Sequence, residues 1–323
     1  MQTVYSRIIG TGMALPGKVL TNDDIAKITN TSNEWIKSRT GICQRHVVVD
    51  EKSSDLATLA SQRAMERAHV SAKDIDLIIT ATTTPDLVFP STSCIVQNNI
   101  GANGCPAFDI NAACSGFIYS LSIADAFIRS NQATKVLVIG VDTLSKVVNW
   151  NDRETSVLFG DGAGAFVLDS SNEPGIYETY MSADGNYKDH LYCPVGVSSG
   201  FYDKENYGLC IRMAGSEVFK VAVRNLTNAS LQAINKSGLS ASSIDWFIPH
   251  QANIRIIEAT AKLMNIEMDK VIVTINKHGN TSAASIPLAF SSAVDEGIIK
   301  KGQNVLLSSF GSGFTWGSAM INY

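Results

Sequence analysis

Residues Phe108-Asp109-Ile110-Asn111-Ala112-Ala113-Cys114-Ser115-Gly116 read as a strand that passes through small residues into a helix. That helix, Ser115–Ser130, is apolar nearly all round through Phe117, Ile118, Tyr119, Leu121, Ile123, Phe127 and Ile128. A helix without a polar face belongs at the centre of a fold rather than on its surface. Outward from it, strands are expected at Ile75–Ala81, Ala107–Ile110, Val136–Gly140, Ile244–Ile248, Val271–Ile275 and Val305–Ser309, separated by helical patterns. Several are apolar on both faces, as strands of a helix-covered parallel sheet are. One of the helical patterns, Ser54–Ala68, predicts a serine-capped helix with Leu56, Leu59, Ala60 and Met65 on one face.

The elbow at Cys114 has a counterpart further along the chain. Ser71-Ala72 and Ile75-Asp76 fall on Ser240-Ala241 and Ile244-Asp245 after a shift of 169 positions. The same shift places Asn111 on Asn280 and Val136-Leu137 on Val305-Leu306. The alternative is that two parallel α/β stretches share generic strand composition. An ungapped offset joining three separate segments favours a duplicated α/β unit, with halves 1–170 and 171–323 packed face to face.

Composition narrows the function classes. With 323 residues and 45% hydrophobic content the chain can bury a large core. Only 17% of its residues are charged, against roughly 25% in an average soluble domain, so a partner or the chain itself must cover much of it. The formal net charge of -4 excludes electrostatic nucleic-acid binding as the main activity. No apolar run approaches the ~18 residues of a membrane span, and MQTVYSRIIG lacks the pattern of a secretory signal. The six cysteines show no C-x-x-C spacing, which argues against a zinc site or a disulfide framework. The expectation is a cytoplasmic globular protein with reduced thiols, no metal and no membrane contact.

Candidate chemistry gathers at four places. Cys114 at a helix start sits at the positive end of the macrodipole, which favours thiolate, and small neighbours admit a carbonyl. His250, in Ile248-Pro249-His250-Gln251-Ala252-Asn253, follows a strand end, where α/β active sites are built. His46 and His69 lie in plain polar or helical settings and are read as surface or satisfied core residues. Asn280, in His278-Gly279-Asn280-Thr281-Ser282, occupies the duplicate of the Cys114 elbow, so the pseudo-symmetry brings it near Cys114; alone, it would be an ordinary helix cap. The turns Gly160-Asp161-Gly162-Ala163-Gly164 and Gly311-Ser312-Gly313 lack a P-loop lysine and dinucleotide spacing, so close backbone packing is expected there.

At these residues the chain resembles the β-ketoacyl-acyl carrier protein synthase III family, initiating condensing enzymes of type II fatty acid synthesis. The resemblance runs end to end. It also takes in Thr31-Ser32-Asn33-Glu34-Trp35-Ile36, Arg39-Thr40-Gly41-Ile42, Asp152-Arg153, Met213-Ala214-Gly215 and Phe314-Thr315-Trp316-Gly317, and is weakest over Tyr187–Leu209. It implies a thiolase-like α/β fold of two pseudo-symmetric halves in α-β-α-β-α layers, and a homodimer. It implies a catalytic triad of Cys114, His250 and Asn280, with the backbone N–H groups of Cys114 and Ser312 as oxyanion donors. Ser312 stands where relatives often carry glycine. Trp35 and Arg153 would sandwich the adenine of coenzyme A, Arg39 would reach its phosphates and Asn253 its pantetheine arm. Arg255 and Lys220 would dock an acidic carrier protein, and Phe89 would wall the acyl pocket across a dimer interface. The implied reaction joins a short acyl-coenzyme A primer to malonyl-acyl carrier protein. Coenzyme A thioesters are substrates here, and no cofactor is implied.

Competing readings fare less well. A thiolase needs a second cysteine near the C-terminus, and none follows Cys210. Elongating synthases use a second histidine where this chain has Asn280. A Cys-His-Asn enzyme starting a polyketide or quinolone, a cysteine hydrolase, and a non-catalytic acyl-binding protein complete the alternatives.

Overall fold

A computed structural model describes residues 4–194, 196–199 and 210–323. Of the Tyr187–Leu209 stretch, residue 195 and residues 200–209 lie outside the described residues. Two sheets carry the chain. The first has the order Tyr5–Ala14, Asp161–Ser171, Lys135–Thr143, Leu77–Ala81, Ala107–Ile110. The second runs Ile176–Ala183, Thr315–Asn322, Asn304–Gly311, Trp246–Pro249. In each, the first two pairings are antiparallel and the rest parallel, two in the first sheet and one in the second, so the second repeats the first short of one edge strand.

The strands are apolar on both faces because both faces are covered. Leu77, Ile79, Val136 and Val138 point inward to a core shared with Ile248, Val305 and Leu307 of the other sheet. Their neighbours Ile78, Leu137 and Ile139 point outward against Leu56, Ala60 and Ala64 of the helix Ser53–Ala68. Between the sheets lie the helices Gly116–Arg129 and Ser285–Asp295, with Phe117, Leu121, Ile128, Ile286 and Phe290 in the same core. On the far side, Ala233 and Ile234 of Gly215–Ser237 and Ile257 of Ile254–Leu263 cover Phe247 and Leu306. The layers are therefore α-β-α-β-α. The 169-residue shift holds to the residue: the 3-10 turns Ala72–Asp74 and Ala113–Ser115 map onto Ala241–Ser243 and Ser282–Ala284. Ala113 and Ser282, paired by it, both adopt left-handed backbone, with φ of 47° and 51°.

Three expectations are corrected. Val271–Ile275 is no strand; it contributes a single bridge, Phe247 to Val271. The cause is Gln251, whose buried carboxamide takes the place of a neighbouring strand. Its Oε1 accepts from the N–H of Thr274 (2.8 Å) and Ile275 (3.2 Å), and its Nε2 donates to the carbonyls of Pro249 and Ile272. Leu59 is exposed rather than on the buried face of its helix. That helix starts at Ser53, and its end is held by carboxylates, not by a serine cap. Asp86 accepts from Ser54 N (2.9 Å) and Ser54 Oγ (2.5 Å), and Asp55 from Lys52 N. Within the central helix Tyr119, Ile123 and Phe127 are half-buried.

The glycine-rich turn packs closely, as expected. A Cβ on Gly160 would lie 2.3 Å from the His278 carbonyl oxygen, and one on Gly164 would lie 2.7 Å from Pro287 Cβ.

Candidate active site

Cys114 sits in the Ala113–Ser115 turn, between the edge strand and the central helix. The second sheet fastens this elbow from below. Ser309 Oγ donates to the Cys114 carbonyl (2.7 Å), Ser115 Oγ to the Thr315 carbonyl (3.0 Å), and Thr315 Oγ1 to the Ala112 carbonyl (2.9 Å). The Cys114 N–H faces Gly311, where a Cβ would come within 2.7 Å of the nitrogen.

Burial pushes the Cys114 thiol up to about 12, with the nearby Asp142 carboxyl adding to the rise and a hydrogen bond from Ser282 opposing it. This corrects the expectation that the helix start holds a thiolate. Macrodipole effects are worth about 0.3–2 kcal/mol, whereas desolvating a thiolate costs more. The resting nucleophile is a thiol.

His250 follows the strand Trp246–Pro249 and donates its backbone N–H to the Ser308 carbonyl (2.8 Å). Burial pushes its imidazole down to about 3, so it is neutral at physiological pH. Its Nδ1 lies 2.6 Å from Ser285 Oγ, which also accepts the Gln251 N–H at 3.4 Å. A Ser285 hydroxyl proton directed at Nδ1 would leave the ring proton on Nε2. Asn280 is fixed on both sides of its backbone, its N–H donating to the Leu158 carbonyl (2.9 Å) and its carbonyl accepting from Gly160 N (3.0 Å). Its Oδ1 accepts the Ser282 N–H at 2.9 Å. The side-chain oxygen is thus occupied, and the amide Nδ2 remains to donate.

Cys114, His250 and Asn280 line one cavity of about 790 Å³, a size suited to a substrate-binding cleft. Trp35, Arg39, Asn253, Arg255 and Lys220 line it too. Trp35 lies on the helix Asn33–Thr40, capped by Ser32, and two guanidinium groups flank its ring: Arg153 at 4.7 Å and Arg39 at 5.7 Å from the centroid. Asn253 spends its Oδ1 capping the next helix, on Arg255 N (2.9 Å), so only its amide can reach a ligand. Arg255 packs over Phe219, and Lys220 pairs with Glu217 at 2.9 Å. Neither Phe89 nor the side chain of Ser312 is brought to the cavity wall. Ser312 turns its hydroxyl onto the Leu191 carbonyl, and Phe89 stands 83% exposed beside exposed Leu87 and Val88.

Sequence reasoning missed Asp142, Ser282 and Ser285. Nothing marks a serine in a polar run as a partner, but the 169-residue shift pairs Ser282 with Ala113 and Asp142 with Gly311, and so points to both.

A doubled α/β fold with a thiol, a neutral imidazole and a carboxamide converging between its halves defines the thiolase-like condensing enzymes. The comparisons with known proteins place the chain more narrowly. Family models for 3-oxoacyl-[acyl-carrier-protein] synthase III and for its C-terminal part match residues 108–185 and 234–323. The chain is 56% identical over 321 residues to β-ketoacyl-[acyl-carrier-protein] synthase III of Xanthomonas campestris pv. campestris, covering 99% of both. The 3-oxoacyl-[acyl-carrier-protein] synthase III structure from Aquifex aeolicus VF5 superposes with a TM-score of 0.93 at 48% identity, covering 98% of this chain and 100% of that one. The priming β-ketosynthase of the R1128 polyketide pathway gives a TM-score of 0.95 at 32% identity, covering 99% and 97%. The chain belongs to the β-ketoacyl-acyl carrier protein synthase III family, condensing acyltransferases that start fatty acid synthesis.

Proposed function

We propose that this chain transfers a short acyl group, acetyl first among them, from coenzyme A to Cys114 and condenses it with malonyl-acyl carrier protein. In loading, the Cys114 sulfur attacks the thioester carbonyl, the S–H proton ends on the departing coenzyme A sulfur, and free coenzyme A leaves. The backbone N–H groups of Cys114 and Ser312 receive the negative oxygen formed on the way. The malonyl carboxylate then departs as carbon dioxide, its electron pair moving into an enolate on the thioester oxygen. His250 Nε2–H and Asn280 Nδ2–H donate to that oxygen. The enolate carbon attacks the acyl-cysteine, the C–S bond breaks, and the cysteine sulfur regains one proton. No cofactor takes part.

The observation that carries this reading is the polarity of the two neutral partners. Ser285 occupies one side of His250 and the Ser282 N–H occupies the oxygen of Asn280, which leaves two neutral donors on the cavity that holds Cys114. Two neutral donors suit an enolate oxygen. The 56% identity to the Xanthomonas synthase III, against 32% to the polyketide priming enzyme, favours a fatty acid starter.

On the same reading, adenine lies between Trp35 and Arg153, Arg39 meets the phosphates, and Asn253 the pantetheine. Arg255 and Lys220 steer the acidic carrier protein. The protein works in the cytoplasm as a homodimer. Support for the dimer comes from the strand Ala107–Ile110, half-buried along its whole length at the sheet edge, and from exposed Leu87, Val88 and Phe89 in the turn beyond its neighbouring strand. An edge of this kind invites pairing with a second copy.

The test is intact-protein mass spectrometry after acetyl-coenzyme A alone, then after malonyl-acyl carrier protein. The expected record is one stable acetyl adduct on Cys114, discharged into a 3-oxoacyl product with carbon dioxide. Continuous release of free acetate without the malonyl donor would mean a hydrolase.

A further inference from the structure

Among the described residues, Arg45 is the largest side chain that is fully buried. It lies on the strand Gln44–Val47, opposite Leu20 of the strand Lys18–Thr21. Burial pushes its guanidinium down to about 10, so it stays charged at physiological pH. Its Nη1 donates to Asn22 Oδ1 (3.0 Å) and to the Leu20 carbonyl (3.4 Å), and its Nη2 donates to the Val157 carbonyl (2.7 Å). None of these three acceptors is a carboxylate. A buried cation held by neutral oxygens is a costly group to keep. What it provides is a rigid planar fork between two parts of the chain.

One of these parts is the segment 157–160, between the one-turn helix Arg153–Ser156 and the strand Asp161–Ser171. It belongs to neither sheet, and its ladder contact is the isolated bridge from Phe159 to Asn280. Through that bridge it grips Asn280 on both sides: the Leu158 carbonyl accepts the Asn280 N–H, and the Gly160 N–H donates to the Asn280 carbonyl. Whatever fixes this segment therefore fixes Asn280. Val157 and Phe159 bury their side chains in two separate apolar clusters, contacts that carry no direction. Arg45 Nη2 supplies the direction, one residue from the Leu158 carbonyl. Arg45 also backs the Asn280 turn, since a Cβ on Gly160 would lie 3.0 Å from its Cβ and one on Gly279 3.1 Å. The other end of the fork has ties of its own, because Asn22 Nδ2 donates to the Ile42 carbonyl (2.7 Å) and to Asn33 Oδ1 (3.1 Å).

We propose that Arg45 is a positioning residue for decarboxylation: from behind the cavity wall its guanidinium holds the Val157 carbonyl, and with it the segment on which Asn280 is docked, in the setting that aims the Asn280 amide at the malonyl thioester oxygen. Arg45 itself does not line the cavity, whereas Val157, Leu158, Phe159 and Asn280 do. The inference deepens the proposed function and rests on it for the role of Asn280.

The test uses Arg45→Lys, which keeps the buried charge but puts a single ammonium in place of the fork. Two half-reactions are read: carbon dioxide release from malonyl-acyl carrier protein, and acyl transfer to Cys114 from saturating acetyl-coenzyme A. A displaced donor costs less than a deleted one, so kcat for carbon dioxide release falls about 10- to 100-fold, against about 10²–10³ for outright loss. The KM for malonyl-acyl carrier protein and the rate of acyl transfer stay within about threefold, because the lost contact is one made in the decarboxylation transition state. The same change is then made in Asn280→Ala. With the amide already gone, Arg45→Lys slows carbon dioxide release by less than about twofold more, since the two residues act through one contact.

Equal losses in the two half-reactions, unchanged carbon dioxide release, or losses that multiply in the double variant each overturn the proposal, because general loosening of the site gives those results. Should Arg45→Lys fail to fold, Arg45→Met, of similar length and with no charge to bury, carries the same expectations. If neither folds, Arg45 serves the fold as a whole and the proposal is rejected. An Asn280→Ala variant that releases carbon dioxide at the parental rate refutes the role given to Asn280 in the proposed function, and this inference with it. A failed double-variant comparison beside a slow Asn280→Ala refutes the inference alone.

Discussion

Gly311→Ala puts one methyl group in front of the Cys114 N–H. The added carbon would lie 2.7 Å from Cys114 N, 3.0 Å from Ser115 N and 3.3 Å from the Ala112 carbonyl oxygen. All three are backbone atoms, so no flexible side chain can swing away. Either the methyl stays and fills the oxyanion position, or the strand Asn304–Gly311 retreats by several tenths of an ångström; both remove one preorganised donor. Loss of one such donor costs about 2.7–4 kcal/mol in the transition state, roughly 10²–10³ in rate, and overpacking costs about 1–3 kcal/mol of stability. Acyl transfer to Cys114 should therefore slow by about 10²–10³-fold. Carbon dioxide release by the unacylated enzyme should stay within a few-fold, because its enolate oxygen is served by His250 and Asn280. The assay is paired: radiolabel transfer from acetyl-coenzyme A and carbon dioxide release from malonyl-acyl carrier protein, with melting temperature as the control for fold. Normal loading with lost decarboxylation would refute the assignment of the Cys114 N–H to the acyl oxyanion.

Asn280→Ala should show the reverse split, retaining acyl transfer while carbon dioxide release falls about 10²–10³-fold; Asn280→Asp, which keeps the acceptor for the Ser282 N–H but removes the donor, should do the same with less loss of stability. Cys114→Ala should acquire no acyl mass from acetyl-coenzyme A, and an adduct on another cysteine would sink the nucleophile assignment. Acid should destabilise the fold. His250 is held near 3 in the folded chain and returns to about 6.5 when unfolded, so the unfolded state gains protons first as pH drops below 6.5. Between pH 7 and 5 this group alone removes about 2 kcal/mol, and buried His278, held at about 4, acts in the same direction. Urea titrations at the two pH values check it, and a flat stability would contradict the neutral burial of both rings. In sedimentation the protein should run at twice its 34.7 kDa chain mass, and Phe89→Asp should shift it toward monomer.

The fold was legible because duplication leaves a trace in register. Hydrophobic identities 169 residues apart lie on strands whose alternate residues face the same central layer, and burial on both faces holds them apolar. Legibility failed where a side chain does the work of backbone. Val271–Ile275 has the composition of a strand, yet the Gln251 carboxamide takes the N–H groups of Thr274 and Ile275, and no pattern of apolar residues reveals an amide 20 or more positions away. At the site, Cys114, His250 and Asn280 could be read because their residue types and elbows carry the chemistry. The state of the nucleophile could not. A helix start says thiolate, but Asp142 and the buried setting that outweigh it come from a strand 28 residues on.

The ring of Trp35 is flanked by guanidinium groups, and that of Arg153 lies over it, 4.7 Å from its centre. On the proposed reading, an incoming purine inserts into an occupied stack and exchanges one partner for another, so the contact yields little net free energy. Weak holding has a use in a two-substrate cycle. On that reading coenzyme A and the carrier protein's pantetheine arm would use the same passage in turn, and a spent carrier that clung to its doorway would stop the second substrate from arriving. On that reading the two arginines would favour fast release of the first product at the expense of affinity for it.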